Sequence, residues 1–302
     1  MGKLAPLFVI IAAALWGFDG IVLRPALYSL PVPLVVFIES TIVALLLSPI
    51  FIRQYSKIKT LSKKDWLAFF GVALFGGAIG TMAITKALFY VNFVNLSIVI
   101  LIQKLQPVFA LSLAGILLKE KLPRIFFFWA FLAVTGAYFM TFGFSLPNFL
   151  TGDKTLVAAG FSLIAAVSFS SSTVFSKRAL RDVGFEMGTY LRFLLSAGIM
   201  IVIATLMGDI KTITNVSSYQ WMIFLIIAFT TGGAAIFLYY YGLKKITASV
   251  ATICELAFPL TAVVLEYFIH RNILNPVQWI GVAVLIFSII KVSRINLNNL
   301  KS

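Results

Sequence analysis

The sequence predicts an all-α polytopic membrane protein in which ten transmembrane helices form two inverted five-helix repeats. Three observations support this prediction: an apolar composition, apolar runs long enough to cross a bilayer, and positive charge that changes sides between the two halves. Of the 302 residues, 61% are hydrophobic and 11% are charged, whereas about a quarter of the residues in soluble domains are charged. A spanning helix needs about 20 apolar residues, so this length leaves no room for a sizeable soluble domain beside the spans.

Ten apolar runs, separated by turn signals or clustered charges, define the predicted spans. The breaks include Leu30-Pro31-Val32-Pro33, the basic stretch from Arg53 to Asp65, and Asn275-Pro276, all of which are typical of turns and loops. The first run is too long for the core of a signal peptide, so we expect it to be the first span. The predicted spans are Leu4–Leu27, Pro33–Ile52, Trp66–Tyr90, Asn95–Leu118, Arg124–Phe142, Leu156–Ser176, Met187–Met207, Tyr219–Tyr241, Thr247–Ile269 and Val277–Val292.

Basic residues are distributed unevenly between alternate loops. Seventeen of the 24 Lys and Arg residues fall on the side that carries both termini, and five fall on the other side. Because positively charged loops stay in the cytoplasm, we expect both termini to be cytoplasmic and the chain to be integral to the cytoplasmic (inner) membrane. The net charge of +14 is spread over six short segments, so it indicates topology and not a nucleic-acid surface.

The two halves share a weak sequence repeat. Gly76-Gly77-Ala78 in the third span recurs as Gly232-Gly233-Ala234 in the eighth. Pro107 in the fourth span recurs as Pro259 in the ninth, 152 residues on. Five spans per unit is an odd number, so a duplication must insert the second unit upside down.

Charge supports the inversion independently. The loop after the second span carries five basic residues, while its counterpart after the seventh carries only Lys211. The positive charge therefore changes sides between equivalent loops, as inversion requires. The predicted units cover residues 1–150 and 151–302. Such repeats are typical of secondary transporters, whose substrate sites lie between the repeats near the membrane midplane.

Five charged residues lie well inside the predicted spans: Asp19, Glu39, Lys104, Arg192 and Glu255. Each costs about 2.5–3.5 kcal/mol to insert at the centre of a helix. Two opposite charges about 4 Å apart recover about 4 kcal/mol at an effective dielectric constant near 20. This gain offsets one insertion cost and not two. Function, structural pairing or exposure to a watery cavity must therefore explain why the five charges are retained.

The centres of the fourth and ninth spans carry the main candidate site. Lys104 and Glu255 lie there, shortly before the repeated prolines, and Gln103 is the repeat equivalent of Glu255. We expect Gln103, Lys104 and Glu255 to face one substrate cavity; the alternative is a structural ion pair between Lys104 and Glu255. Pro107 and Pro259 are predicted hinges or static kinks, because proline lacks a backbone donor and frees a carbonyl one turn earlier.

Aromatic residues extend the predicted cavity. Trp16 and Asp19 are three residues apart and therefore share a helix face, and a carboxylate beside an indole suits a cationic or aromatic solute. Asp19 could instead pair with Arg24 or Lys86 near the outer interface. Three consecutive tyrosines in the eighth span point about 100° apart along a helix, so one of them should face inward, and Tyr240 is our candidate.

Other polar positions have simpler interpretations. The hydroxyl-rich stretch from Ser168 to Thr173 in the sixth span fits close helix packing as well as substrate hydrogen bonding. Glu39 and Arg192 hold equivalent early positions in the second and seventh spans, where we expect peripheral structural anchors. Gly76-x-x-x-Gly80 is expected to be a packing face.

Several chemistries lack their motifs. The chain has no Walker A sequence and no His-Glu-x-x-His, so we predict no ATP-driven pumping by this chain alone, no metal site and no cofactor. The single cysteine, Cys254, excludes an intrachain disulfide and the paired-cysteine zinc spacings.

Two groups of residues carry a family resemblance. Ala14-Leu15-Trp16-Gly17, together with Gln106–Leu111 and the following Lys119-Glu120-Lys121-Leu122, resembles an EamA-type unit of the drug/metabolite transporter superfamily. Phe258–Ala262, followed by Gln278-Trp279-Ile280-Gly281, is the second-half echo. The resemblance covers nearly the whole chain. It implies a ten-helix carrier of small organic solutes that works by alternating access.

The resulting hypothesis is a secondary transporter and not an enzyme, with the lipid bilayer and a small-molecule substrate as its partners. Its substrate would be an amino acid, a cofactor-like solute or a drug-like solute, and the mixed signs of the cavity favour a zwitterion. Glu255 or Asp19 would titrate if protons are coupled. The alternatives are a membrane-embedded enzyme acting on lipid and a passive channel. The sequence does not fix the oligomeric state, and a monomer is compatible with it.

Overall fold

A computed structural model of the protein describes residues 4–59, 61–90, 102–146, 154–270 and 274–299. All regular elements in these ranges are helical, as predicted. The α-helices are α1 (Ala5–Phe18), α2 (Val32–Lys59), α3 (Lys63–Val72), α4 (Gly80–Tyr90), α5 (Gln106–Leu117), α6 (Arg124–Phe142), α7 (Thr155–Ala179), α8 (Phe185–Leu206), α9 (Ser218–Phe229), α10 (Gly233–Lys245), α11 (Ala248–Cys254), α12 (Ala257–His270) and α13 (Pro276–Asn299).

Nine helical segments within the described ranges are long and apolar enough to cross a membrane, and each corresponds to a predicted span. The remaining prediction, Asn95–Leu118, lies partly outside the described residues, and its described part includes the shorter apolar helix α5. The segments are Ala5–Leu27, Val32–Ser56, Lys63–Ala87, Arg124–Phe142, Leu156–Ala179, Phe185–Leu206, Ser218–Lys245, Ala248–Leu265 and Pro276–Ile295.

Local sequence signals set several helix starts. Ser62 and Asp65 form a capping box at the start of α3, and Ser217 and Gln220 form another at the start of α9. The Thr247 side chain caps α11 by accepting a hydrogen bond from the Val250 amide at 3.2 Å. These caps satisfy amide groups that have no partner in the first turn of a helix.

In five of the spans the regular α-helix is interrupted within the described residues. The first contains a π-helical turn at Asp19–Leu23, and the third contains one at Ala73–Ile79. The eighth is broken between α9 and α10, the ninth between α11 and α12, and the fourth just before α5. Pro107 and Pro259 lie in the first turns of α5 and α12, where a missing amide donor removes no helical hydrogen bond. Each of these two interruptions is a short turn just before the proline, in which Leu105 and Glu255 keep right-handed helical backbone angles.

The helices pack mainly across the two halves of the chain. The contact of α1 with α10 has its counterpart in the contact of α4 with α7, and the contact of α1 with α12 matches that of α5 with α7. The remaining large contacts join α2 to α8 and α6 to α13. Each of these pairs takes one helix from each half, so the halves form one bundle with its centre between them.

The bundle has two ends, which we call the base and the top. The base is the end where α1 begins, α10 ends and α11 begins. Their proximity is visible at Gly242 in α10, where an added Cβ would lie 2.7 Å from the Ala5 carbonyl oxygen of α1. The top is the opposite end, where the Gln220 side chain donates hydrogen bonds to the Ala26 carbonyl at 3.2 Å and to the Ser29 hydroxyl at 3.0 Å.

Glycine allows close approach at several of the cross-half contacts. A Cβ on Gly136 in α6 would lie 2.8 Å from the Leu285 amide nitrogen of α13, and one on Gly281 would collide with the Met140 amide. A Cβ on Gly76 would collide with Ser172 of α7, and one on Gly80 would lie 2.9 Å from the Phe169 ring. The predicted packing role of Gly76 and Gly80 is confirmed.

We expect Gly136→Ala to lower the thermal stability of the purified protein, because the added methyl group meets backbone atoms that cannot yield. Overpacking of this kind costs about 1–3 kcal/mol. Unfolding can be followed with a thiol-reactive dye, because the single cysteine, Cys254, is fully buried. The control is Gly160→Ala, a helical position with open space around the added Cβ; equal melting temperatures for the two variants would contradict the packing account.

Candidate functional site

A half-buried carboxylate occupies the break in the ninth span. Glu255 follows α11, and its Oε1 accepts hydrogen bonds from the Tyr239 hydroxyl at 2.6 Å and the Thr173 hydroxyl at 3.3 Å. Its Oε2 accepts a hydrogen bond from the Gln106 side-chain amide at 3.2 Å. We call Gln106, Thr173, Tyr239 and Glu255 the Glu255 cluster. Its members come from four different helical elements and from both halves of the chain.

Helix breaks explain how these side chains meet. Gln106 is the first residue of α5 and Glu255 is the residue after α11, so the two broken spans present their polar groups at the same level. Thr173 belongs to the hydroxyl-rich stretch of α7, and its hydroxyl oxygen lies 3.2 Å from the Tyr239 hydroxyl oxygen. Neighbouring hydroxyls of this stretch serve packing instead: the Ser170 hydroxyl lies 2.8 Å from the Gln106 carbonyl, which links α7 to α5.

An aromatic surface adjoins the Glu255 cluster. The Trp16 ring lies 5.3 Å from the Tyr239 ring at an interplanar angle of 54°. Trp16 is half-buried, as are Glu255 and Gln106, whereas Tyr239 is buried. The arrangement places an indole face beside a carboxylate and an amide, so it can hold a flat solute that has both an apolar face and a hydrogen-bonding edge.

Tyr240 lies beside this surface and not in it. It is fully buried, its hydroxyl is 3.0 Å from the Ser176 hydroxyl, and it accepts a hydrogen bond from Arg192 at 3.4 Å. The hydrogen bond to Tyr240 agrees with the structural anchoring expected of Arg192, but its guanidinium reaches a buried partner and not the periphery. The absence of a side chain at Gly76 gives it room, since a Cβ there would lie 3.4 Å from an Arg192 guanidinium nitrogen.

Asp19 and Glu39 belong to a separate polar cluster nearer the top. The Arg24 guanidinium lies 2.6 Å from the Asp19 carboxylate and 3.3 Å from the Glu39 carboxylate. The other Asp19 oxygen accepts a hydrogen bond from Thr231 of the second half at 3.1 Å. We call Asp19, Arg24, Glu39 and Thr231 the top cluster. Asp19 therefore forms an ion pair with Arg24, which is the alternative that the sequence left open. Glu39 also forms an ion pair with Arg24, in agreement with the structural anchoring expected of it.

Gln103 and Lys104 do not join the Glu255 cluster. The Gln103 side chain donates to the Ser162 carbonyl at 3.1 Å. Lys104 is 6% exposed, and it makes no hydrogen bond or ion pair with any residue in the described part of the chain. The alternative of a Lys104–Glu255 ion pair is wrong, because the described carboxylate partners of Lys and Arg side chains do not include Glu255.

Sequence reasoning missed Gln106, Thr173 and Tyr239. Gln106 carried a signal, since it directly precedes the repeated proline. Tyr239 was one of three consecutive tyrosines, and choosing among them requires the rotation of α10 about its axis, which depends on packing. Among the described residues, no group of three His, Cys, Asp or Glu side chains is placed to hold a metal ion.

Comparison with known proteins identifies the family to which the chain belongs. The model of the EamA-like transporter family matches residues 3–142 and again residues 156–294. The chain belongs to the EamA-like transporter family. The resemblance drawn from Ala14–Gly17 and Gln106–Leu111 is thereby confirmed.

Relatives of this EamA-like transporter are themselves described as transporters. It is 51% identical over 291 residues to the riboflavin transporter ImpX of Fusobacterium nucleatum, with 96% of this chain and 97% of that protein covered. It is 28% identical to an uncharacterized transporter of Synechocystis sp., over 76% of this chain and 65% of that protein. A solved crystal structure, at 17% identity, covers 99% of both chains with a TM-score of 0.76, which supports the fold alone. The chain is thus an integral membrane transporter of a small metabolite and not an enzyme.

We expect Arg24→Gln to destabilise the EamA-like fold, because it leaves two carboxylates of the top cluster without a cation. Arg24 keeps 31% of its side chain exposed, so the loss should be about 1.5–3 kcal/mol, the range for hydrogen bonds to charged groups. The matched control is Arg181→Gln at an exposed position. Thermal unfolding followed through Cys254 measures both, and a control that melts as early as Arg24→Gln would refute a structural role for the top cluster.

Proposed function

We propose that this chain is a secondary transporter that carries riboflavin, or a solute with the same flat heteroaromatic core, by alternating access between two inverted repeats. The observation that carries the proposal is the Glu255 cluster beside Trp16, at the boundary between the halves. The substrate class is supported by the name of the ImpX relative, with which this chain shares 51% identity over 96% of its length.

The chemistry of riboflavin suits this site. Its ring system is flat, uncharged at neutral pH, apolar at one end and rich in carbonyl and N–H groups at the other. Trp16 offers a ring for stacking. Gln106 offers an amide, and Glu255 offers a carboxylate that accepts hydrogen bonds. The zwitterion favoured by the sequence rested on Lys104 and Glu255 facing one cavity, and the separate placement of Lys104 removes that preference.

Alternating access is supported by the symmetry of the contacts. The cross-half helix pairs occur in matched sets, the family model matches each half once, and four of the interrupted spans are equivalent in pairs, the third with the eighth and the fourth with the ninth. These features agree with repeats over 1–150 and 151–302 that rock about a site between them. The positive charge of the loops favours a cytoplasmic base in the inner membrane, with both termini there.

Proton coupling is the second part of the proposal. Among the described residues, Glu255 is the carboxylate of the central site, and it accepts hydrogen bonds from three neutral side chains, Gln106, Thr173 and Tyr239. A carboxylate so placed can carry a proton together with the substrate. In the top cluster, by contrast, the carboxylates already have the Arg24 guanidinium as a partner.

Riboflavin flux into proteoliposomes tests the substrate and the site. We expect saturable uptake and counterflow, and a KM about tenfold higher for Trp16→Ala, since loss of an aromatic contact worth about 1.4 kcal/mol corresponds to a factor of ten. Trp279→Ala serves as the control, because Trp279 is 51% exposed on the outside of the bundle. Non-saturating flux would favour a channel, and a chemically altered product without transport would favour an enzyme.

An imposed pH gradient tests the coupling. Wild-type uptake should accelerate when the inward-directed proton gradient is applied, whereas Glu255→Gln should keep exchange and lose the response, because an amide cannot take up the proton. Glu39→Gln is the comparison variant from the top cluster. Wild-type uptake that ignores the gradient would end the coupling proposal, and loss of the response only in Glu39→Gln would move the coupling carboxylate to the top cluster.

A further inference from the structure

A carboxylate of the first half closes the base of the bundle over the helix that leads to Glu255. Glu120 lies in the segment between α5 and α6. Its Oε1 accepts a hydrogen bond from the Ala248 amide at 2.7 Å, and its Oε2 accepts hydrogen bonds from the Ser249 amide at 3.1 Å and the Ser249 hydroxyl at 2.6 Å. One side chain of the first half therefore makes three hydrogen bonds to the start of a helix in the second half.

The backbone before Glu120 has an unfavourable conformation. Lys119 has φ of 55° and is the only non-glycine residue with positive φ in the described ranges. Glycine usually occupies this left-handed position after a helix, and another residue adopts it at a cost of about 1–2 kcal/mol. The chain changes direction at Lys119, and this change places Glu120 at the base of the bundle, next to the start of α11. The strain is compensated by the three hydrogen bonds that Glu120 accepts.

The helix held by Glu120 ends at the candidate site. All seven residues of α11 are buried, and at a rise of 1.5 Å per residue the helix is about 10 Å long. Its first residues bind Glu120 and the residue after its end is Glu255. A negative charge is also favourable at a helix N-terminus because of the helix dipole. Glu120 therefore fixes one end of a short rigid element whose other end carries the carboxylate of the site.

A second charged residue holds the partner helix. Lys177 of α7 donates hydrogen bonds to the Leu243 carbonyl at 2.9 Å and the Lys244 carbonyl at 3.1 Å, near the end of α10. This helix carries Tyr239, which donates the 2.6 Å hydrogen bond to Glu255. Both helices that meet at the Tyr239–Glu255 hydrogen bond are thus fixed at the base by opposite charges.

We propose that Glu120 is a positioning residue for transport: its bonds to Ala248 and Ser249 hold the base closed and keep Glu255 within reach of Tyr239. This inference rests on the proposed alternating access and adds to it a named group that controls one side. Opening at the base must separate the Glu120 segment from α11, and the three hydrogen bonds then break together because they share one carboxylate. Weakening them shifts the population towards the base-open state.

The test uses Glu120→Gln in the full-length chain, because glutamine keeps the shape of the side chain and removes its charge and one acceptor oxygen. A reporter cysteine replaces Thr173 of the Glu255 cluster, in a Cys254→Ser background that all compared proteins share. Labelling by a membrane-impermeant thiol reagent is measured in inside-out and right-side-out vesicles. In the Glu120→Gln variant, we expect the reporter cysteine to react with the reagent about fivefold faster from the base side, a factor that corresponds to a modest population shift. From the top side we expect it to react more slowly.

Two further variants complete the design. Asp182→Asn removes an exposed carboxylate at the base whose described ion pair is a 3.6 Å contact with Arg178, and its labelling rate should match that of the unmodified reporter protein. Glu120→Asp keeps the charge and should restore most of the slow labelling. It also gives a folded variant to compare if Glu120→Gln does not accumulate.

The outcomes separate this inference from the proposed function. Lower thermal stability of Glu120→Gln with unchanged labelling from both sides would overturn the positioning role and leave a structural one. Equal, fast labelling of Glu120→Asp and Glu120→Gln would also overturn it, since charge would then be irrelevant. Thiol labelling does not depend on riboflavin, so a failure of riboflavin flux would count against the proposed substrate and not against Glu120.

Discussion

The helices of this bundle pair across the two halves of the chain, and polar side chains in the membrane interior depend on partners inside the same bundle, because lipid offers none. The largest contacts of α1, α2 and α6 are made with helices of the second half. The polar groups follow the same rule. Gln106 reaches Glu255, and Thr231 reaches Asp19. Any relative movement of the halves therefore rearranges the interior polar contacts.

This constraint gives the polar clusters different roles along the membrane normal. The top cluster pairs two carboxylates with a guanidinium, while the Glu255 cluster holds its carboxylate with hydroxyl and amide groups. At the base, Glu120 and Lys177 hold the helix ends from which the central side chains project. The central carboxylate thus takes its hydrogen bonds from neutral side chains that a solute can replace, and the ends supply charged contacts that a conformational change can break and remake.

The sequence was sufficient to predict the spans, their order and the family, because hydropathy and motif spacing do not depend on tertiary structure. It also proposed Glu255 and Trp16 as site residues, since a charge at the centre of a span and an indole in a family motif are visible in the sequence, and their place in the site stays a prediction. It failed where the answer depended on helix rotation or on an unanticipated break. Tyr240 was preferred to Tyr239, and Lys104 was expected to face Glu255. The short turn before each proline shifts the helical register of the side chains that follow it, and a periodicity argument does not capture that shift.

The most direct measurement for the central claim is a structure of the purified protein with riboflavin bound. The account predicts ligand density between the halves, with the ring system against Trp16 and its hydrogen-bonding edge against Gln106 and Glu255. It also predicts that the Tyr239–Glu255 hydrogen bond adjusts to the ligand while the top cluster keeps its Arg24 contacts. Density elsewhere in the bundle, or density at Asp19 with an unchanged Glu255 cluster, would contradict the assignment of the site.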